Sequence, residues 1–311
     1  MEVKTQFENL VIEGAAMCGY AYCGALVSLE NMGILEDIKR FAGTSVGAFF
    51  ACCLAIGISA KELKNRLYEE LNPNELIPDL CTLSLIYNIY KYYGMYSIDP
   101  LEKLLIKLIS PYVNSDITFQ QLYEKTGKEL VIVTCNLNKR IPVYLHRYSY
   151  PNLKIVDAVI MSVSIPLFFR PRKYNIMGTK DYYIDGGIVN NYPIWIFNDI
   201  EKLKQCNYDQ IDKNIVTYKT LGLKILGNKE TNNSQVFMGR GIFENIFQFI
   251  QGIINTILLQ IERNQINPLY LKQTIAISTE SSDFINMELN YERKELLTKL
   301  GEMAVREYFK L

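Results

Sequence analysis

The chain has 311 residues, 49% of them hydrophobic and 21% charged, enough to bury a large core in one α/β domain or two smaller ones. Its 33 basic and 33 acidic side chains cancel, so composition supplies no general attraction for nucleic acid. Seven cysteines, odd in number and mostly inside apolar segments, read as reduced thiols of a cytoplasmic protein rather than a disulfide framework.

MEVKTQFENL at the start lacks the apolar core of a secretory signal, and no uninterrupted apolar run reaches the roughly 18 residues that a membrane span needs. Residues 8–13, ENLVIE, predict a first strand. The turn GAAMCGYAYCG follows and leads into a helix through Ala25–Asn31. IKRFAG (Ile38–Gly43) then reads as a second strand, and Ala48–Gly57 as an apolar helix. That β-α-β order implies parallel strands in a sheet covered by helices. From Ala60 to Ile109 the pattern is helical, broken at Pro73, Pro78 and Gly94. Within it, Leu80–Ile98 is crowded with tyrosines that suit a cap between apolar and wet surroundings. Glu129–Leu137 and Ile141–His146 predict two strands joined by residues 138–140. Later strands are expected at Tyr182–Asp185, Leu221–Leu226 and Thr274–Ser278, and a final helix at Glu292–Phe309. Ile242–Glu262 reads as an amphipathic helix whose polar face carries almost no Lys or Arg, which favours core packing over a membrane surface. With no repeat and no linker, one domain spanning 1–311 is expected, its motifs within about 8–197 and residues 198–311 completing the sheet and covering helices.

Between the second strand and its helix stands Gly43-Thr44-Ser45-Val46-Gly47. GTSVG in a strand-turn-helix setting fits a nucleophile elbow, in which a sharp turn projects one serine hydroxyl into open space. Gly43 and Gly47 would let strand and helix approach. An ordinary tight turn is the alternative. Asp185, in YIDGGIVNNYP, closes a buried strand before Gly186 and Gly187, at the kind of sheet edge where α/β proteins bind ligands. Its alternative is a turn acid that supports its own backbone. Gly14, Ala15 and Ala16, after the first strand, are small enough for their N–H groups to approach a developing oxyanion. Gly14 and Gly19 keep a P-loop interval, but Tyr20 and Ala21 stand where Lys and Ser/Thr are required, so phosphate cradling is excluded. Zinc is disfavoured as well, because Cys18 and Cys23 have no second pair at ligand spacing and the only histidine, His146, is distant. His146 also precedes Asp185, against the Ser, acid, His order of α/β-hydrolases. A serine-aspartate pair remains.

Taken together, GAAMCG, GTSVG and DGG, in that order, resemble the patatin-like phospholipases, with their glycine-rich oxyanion loop, GxSxG elbow and DGG/DGA acid. GMYSIDPLEKLL, TFQQLYEKTGKELVIVTCNLN and SVSIPLFFRP extend the similarity over residues 8–197. The resemblance implies a three-layer α/β/α fold with a mostly parallel sheet, and a lipid acyl hydrolase without metal or organic cofactor. In that reading Ser45 is the nucleophile, Asp185 the proton acceptor, and the loop at Gly14, Ala15 and Ala16 the oxyanion hole. The substrate is then a phospholipid or another acyl-ester lipid, with contact at a membrane surface and no nucleic acid. The chain departs from the family pattern at Cys18, where Arg or Lys is usual, and at Ala15 and Ala16, where glycines are. A soluble carboxylesterase or thioesterase and a non-catalytic lipid-binding relative are the alternatives.

Overall fold

A computed structural model describes residues 7–176, 178–226, 268–279 and 290–311, together with Phe249, Gly252, Ile253, Thr256 and Ile257. Its strands, in chain order, are β1 (Asn9–Ile12), β2 (Arg40–Thr44), β3 (Gly94–Tyr96), β4 (Glu129–Asn136), β5 (Ile141–Leu145), β6 (Leu167–Phe169), β7 (Arg172–Asn175), β8 (Lys180–Asp185), β9 (Thr220–Leu226) and β10 (Thr274–Ser278). β10, β9, β1, β2 and β4 lie side by side, all parallel. β5 and β8 both pair antiparallel with β4, and β7 extends β8. β3 and β6 form a separate two-stranded sheet. The fold is therefore α/β with a mostly parallel central sheet.

Register along β4 explains how distant residues meet. Val133 pairs with Thr44 of β2 and with Tyr144 of β5, while Thr134 pairs with Asp185 of β8 and with Val143 of β5. β5 thus occupies one edge of β4. On the other edge β2 and β8 run head to head, and the end of β2 at Thr44 abuts the end of β8 at Asp185.

Alternation within the strands divides the core between two faces. Leu10, Ile12, Phe41, Leu130 and Ile132 join a large cluster with the helices α1 (Tyr20–Asn31), α2 (Val46–Ile56), α3 (Ala60–Glu70), α6 (Asp99–Ile109), α8 (Ile155–Val163) and α11 (Tyr291–Phe309). Val11, Ala42, Val131 and Val133 face the other way, onto Tyr192, Ile194, Trp195, Ile196 and Phe197. That second layer is built from short pieces, including α10 (Ile200–Lys204) and a 3-10 turn at Pro268–Gln273. α1 and α11 cross at backbone distance. A side chain at Gly24 would strike the Thr298 carbonyl at 1.8 Å, and one at Gly301 the Ala21 carbonyl at 1.9 Å.

The expected long strands and the final helix are present, whereas β3, β6 and β7, of three or four residues, were not foreseen. The tyrosine-rich segment becomes α5 (Thr82–Tyr92), preceded by the single turn α4 (Pro73–Leu76) and followed by β3. The helix expected at Ile242–Glu262 lies outside the described residues, apart from the five isolated positions. All seven cysteines are unbridged. Among the described residues, no helix is long and apolar enough to cross a membrane and no acidic, His or Cys cluster could hold a metal ion.

Candidate active site

Ser45 sits between β2 and α2 at φ 54°, ψ −130°, a positive φ that a serine adopts only when its surroundings hold it there. Crowding on both sides of the turn supplies that constraint. A Cβ at Gly47 would fall 2.2 Å from the Ile12 carbonyl oxygen, and one at Gly43 would fall 2.4 Å from that of Gly47. Both positions admit only glycine, as the elbow requires.

Head-to-head placement of β2 and β8 brings the two ends into contact: Ser45 Oγ donates to Asp185 Oδ2 at 2.6 Å. Asp185 Oδ1 accepts from the Gly187 N–H at 2.7 Å. Gly186 keeps the acid turn tight, since a Cβ there would lie 2.3 Å from the Val133 carbonyl oxygen. Gly187 opens the single turn α9 (Gly187–Asn190). Asp185 is only 3% exposed, and burial raises its pKa from 3.8 to about 7 against the opposing hydrogen bonds from Ser45 and Gly187.

His146 does not join it. It follows β5 beyond the Ile132–Leu145 pair, towards the end of β4 remote from Asp185. Its Nε2 meets the Tyr208 hydroxyl at 2.6 Å, and burial lowers its pKa to about 4. It is a neutral, structural imidazole at physiological pH.

The loop from Gly14 to Gly19 differs in detail from expectation. Gly14 does not offer its N–H to the site, because that group donates to the Asn191 carbonyl at 3.2 Å, while Asn191 Nδ2 donates to the Gly14 carbonyl at 2.9 Å. Gly14 is instead a spacer: a Cβ there would lie 2.3 Å from Asn191 Oδ1 and 3.0 Å from Ser45 Cβ. Ala16 borders the space beside Ser45, whereas Ala15 is buried in the core. Ala16 has φ 43°, a left-handed value that favours glycine. Such a conformation costs an alanine about 1–2 kcal/mol, more than the backbone entropy that glycine would bring. Ala16→Gly should accordingly raise the melting temperature by about 2 °C, measured by differential scanning calorimetry. Cys18, at 3% exposure, is part of the core and does not line the pocket.

From Ser45 an apolar cavity of about 90 Å³ extends away from the sheet, lined among others by Ala16, Tyr20, Phe49, Phe50, Leu67, Leu71, Leu76, Leu104, Ile165 and Phe169. Asp185 and Asn191 line a smaller recess beside Ser45, with Gly14, Ala16, Gly187 and Ile165. Sequence reasoning missed Asn191, although NNYP directly after the acid turn carried an amide at a place where α/β folds put ligands.

Residues 10–198 match the model of the patatin-like phospholipases. Protein R571 of Acanthamoeba polyphaga mimivirus is 29% identical over 307 residues, covering 98% of this chain and 94% of R571. The probable lipid hydrolase 463L of Invertebrate iridescent virus 6 is 30% identical over 197 residues, covering 60% of this chain and 62% of its own length, so the match takes in less than two thirds of that relative. VipD from Legionella pneumophila has a similar fold, with a TM-score of 0.57 at 16% identity over 98% of this chain and 67% of VipD. The matched span encloses the loop, the elbow and the acid turn, and by it the chain belongs to the patatin-like phospholipase family.

Proposed function

We propose that the chain is a lipid acyl hydrolase of the phospholipase A type, cleaving fatty-acyl esters through Ser45 and Asp185. The 2.6 Å contact of Ser45 Oγ with Asp185 at the mouth of an apolar cavity carries this reading. Ser45 Oγ attacks the ester carbonyl carbon while its proton passes to Asp185. The negative oxygen is met by N–H groups of Ala15 and Ala16 and by the N-terminal end of α2. Collapse expels the alcohol, which takes the proton from Asp185 and leaves an acyl-serine. Water then gives a proton to Asp185 and adds to the acyl carbon, and the fatty acid leaves as Ser45 is reprotonated. The acyl chain occupies the cavity, and the alcohol portion lies on the Asn191 side.

An aspartate is a weak base, but the elevated pKa of Asp185 brings it nearer the operating pH. Release of fatty acid from defined phospholipid vesicles by the wild type and Ser45→Ala, each with and without chelator, tests the assignment. Wild-type turnover that resists chelation and vanishes in Ser45→Ala supports it, and turnover retained by Ser45→Ala overturns it.

The apolar face of α5 supports contact with a lipid surface. Leu83, Ile86, Tyr87 and Tyr90 recur at helical spacing and are exposed, Leu83 by 78% and Tyr90 by 84%. α5 is tied to the cavity wall at both ends, through Leu76 before it and through β3, which pairs with Phe169-bearing β6 after it. Leu83→Ser/Tyr90→Ser should lower vesicle hydrolysis about tenfold relative to hydrolysis of a soluble ester by the same variant, as expected when about 1.4 kcal/mol of interfacial burial is lost. A soluble carboxylesterase would show no such change in the ratio.

A further inference from the structure

The dyad is held by a segment that takes no part in the proposed chemistry. Ser162 and Ser164, in SVSIP at the end of α8, are fully buried, and the peptide between them touches both halves of the pair. The Ser45 N–H donates to Ser162 Oγ at 2.8 Å. The Ser162 hydroxyl donates onward to the Val133 carbonyl at 2.6 Å. Two residues later, the Ser164 carbonyl accepts the Asp185 N–H at 2.9 Å. With the Ser45–Asp185 contact these links close a ring: Ser45 amide, Ser162 hydroxyl, the chain to Ser164, Asp185 amide, Asp185 carboxylate, Ser45 hydroxyl. Val133 anchors the ring to β4, because its carbonyl receives the Ser162 proton and lies against Gly186.

We propose that Ser162 is a positioning residue for the dyad: its hydroxyl fixes the strained elbow backbone on β4 and, through the Ser164 carbonyl, sets the Ser45–Asp185 distance. The inference rests on the dyad reading. Three observations separate this role from ordinary packing. First, the Ser45 N–H is buried at a positive φ, so without Ser162 it would be left unpaired at the position that most needs restraint. Second, the same bond turns that N–H away from the substrate side, which leaves the oxyanion to the Ala15–Ala16 loop and α2. Third, both restraints come from one short segment, which fixes nucleophile and acid relative to each other, so that loss of the Ser162 link alone frees Ser45 to move relative to Asp185.

Ser162→Ala removes the acceptor. The expected result is a kcat lowered about 100-fold at little-changed KM, since a displacement on the order of 1 Å at the reacting pair has that effect. The Ser45 hydrogen bond holds the Asp185 pKa down, so its weakening should also move the acid limb of the pH–rate profile to higher pH. Ser162→Cys, nearly isosteric with a poorer acceptor, should fall between, and it serves if the alanine variant does not fold. Thr220→Ala provides a control. Thr220 is equally buried and accepts from Asn9 Nδ2 at 3.0 Å, but it lies at the opposite end of β1 and β9, so its loss should lower stability without moving the acid limb. Labelling by a fluorophosphonate, followed to Ser45 by mass spectrometry, distinguishes the two failures. Absence of label on wild-type Ser45 overturns the dyad reading and this proposal with it. Label at Ser45, with Ser162→Ala or Ser162→Cys keeping the wild-type labelling rate, kcat and acid limb, overturns only the positioning role.

Discussion

Asp185→Asn is expected to abolish acyl-ester hydrolysis and at the same time to make the protein more stable, with the gain larger at pH 8 than at pH 5. Loss of activity follows from the proton acceptor, and a fall of 10⁴-fold or more is expected, as on the order of that is lost when acid members of related catalytic groups are removed. The stability effect follows from burial. Asp185 has a folded pKa of about 7 against 3.8 ordinarily, so between those values the folded state holds a proton that the unfolded state has released. Stability therefore declines as pH rises through this window and is constant above it. A gap of about three pH units corresponds to about 4 kcal/mol carried as a penalty at pH 8, which the neutral amide does not carry. Melting temperatures of both proteins at the two pH values measure it, and several degrees of difference is the expected scale. Ser45→Ala shares the loss of activity. It should not share the stabilisation, since it leaves the carboxyl buried and deletes a hydrogen bond that favours its charge. In the wild type the same ionisation gives a kcat/KM that climbs about tenfold per pH unit below pH 7 and then levels, because the base must be deprotonated.

Gly47→Ala should be strongly damaging to both stability and activity. The added carbon would lie 2.2 Å from the Ile12 carbonyl oxygen and 2.6 Å from that of Glu13, both backbone atoms of the central strand and its exit. Neither can swing aside as a side chain would. α2 must move instead, at a cost of about 3 kcal/mol, the upper end for overpacking, or about 10 °C in melting temperature. Ser45 is attached to the first turn of α2 and moves with it, so activity should fall about 100-fold even at temperatures where the variant is folded. Gly57→Ala is the informative contrast. Gly57 has φ 106° and nothing within 4 Å of an added Cβ, so it pays only for its backbone conformation, about 1–2 kcal/mol, and its activity when folded should be ordinary. Calorimetry with ester hydrolysis on both variants separates contact from conformation.

The parts of this fold that were legible in the sequence are those whose signals are local. Leu221–Leu226, Thr274–Ser278 and Glu129–Leu137 are short, mostly apolar runs, and GTSVG and DGG announce turns of defined geometry. β6 and β7 are too short to show a period, and Leu167 begins β6 at φ 64°, which no propensity would assign to a leucine. The pairing of Ser45 with Asp185 follows from the exclusion of His146 and from a resemblance, not from any signal of their proximity in the sequence. Its physical origin is a register, with β2 and β8 sharing one edge of β4, and register between strands far apart in sequence leaves no mark in either. Asn191 and Ser162 were illegible for the same reason, as each bonds a partner more than a hundred residues away. The tyrosines of Leu80–Ile98 were read as a cap over the site, buried or bordering water. Of these, Tyr87, Tyr90 and Tyr93 are exposed and Tyr92 and Tyr96 half-buried, and no residue of α5 lines the cavity.

Directly before the oxyanion loop, Glu13 is buried at the exit of β1, where its carboxylate pairs with Lys224 and accepts the Ile225 N–H at 3.0 Å, both from β9. β9 lies beyond residue 198, the limit of the family match. A gene fragment trimmed to that limit would expose one edge of β1 and strand the Glu13 carboxylate without its counter-charge, immediately behind Gly14. The boundary drawn by sequence similarity is therefore a poor place to cut this protein for expression, and a shortened version that emerged insoluble or inert would say nothing against the chemistry of Ser45.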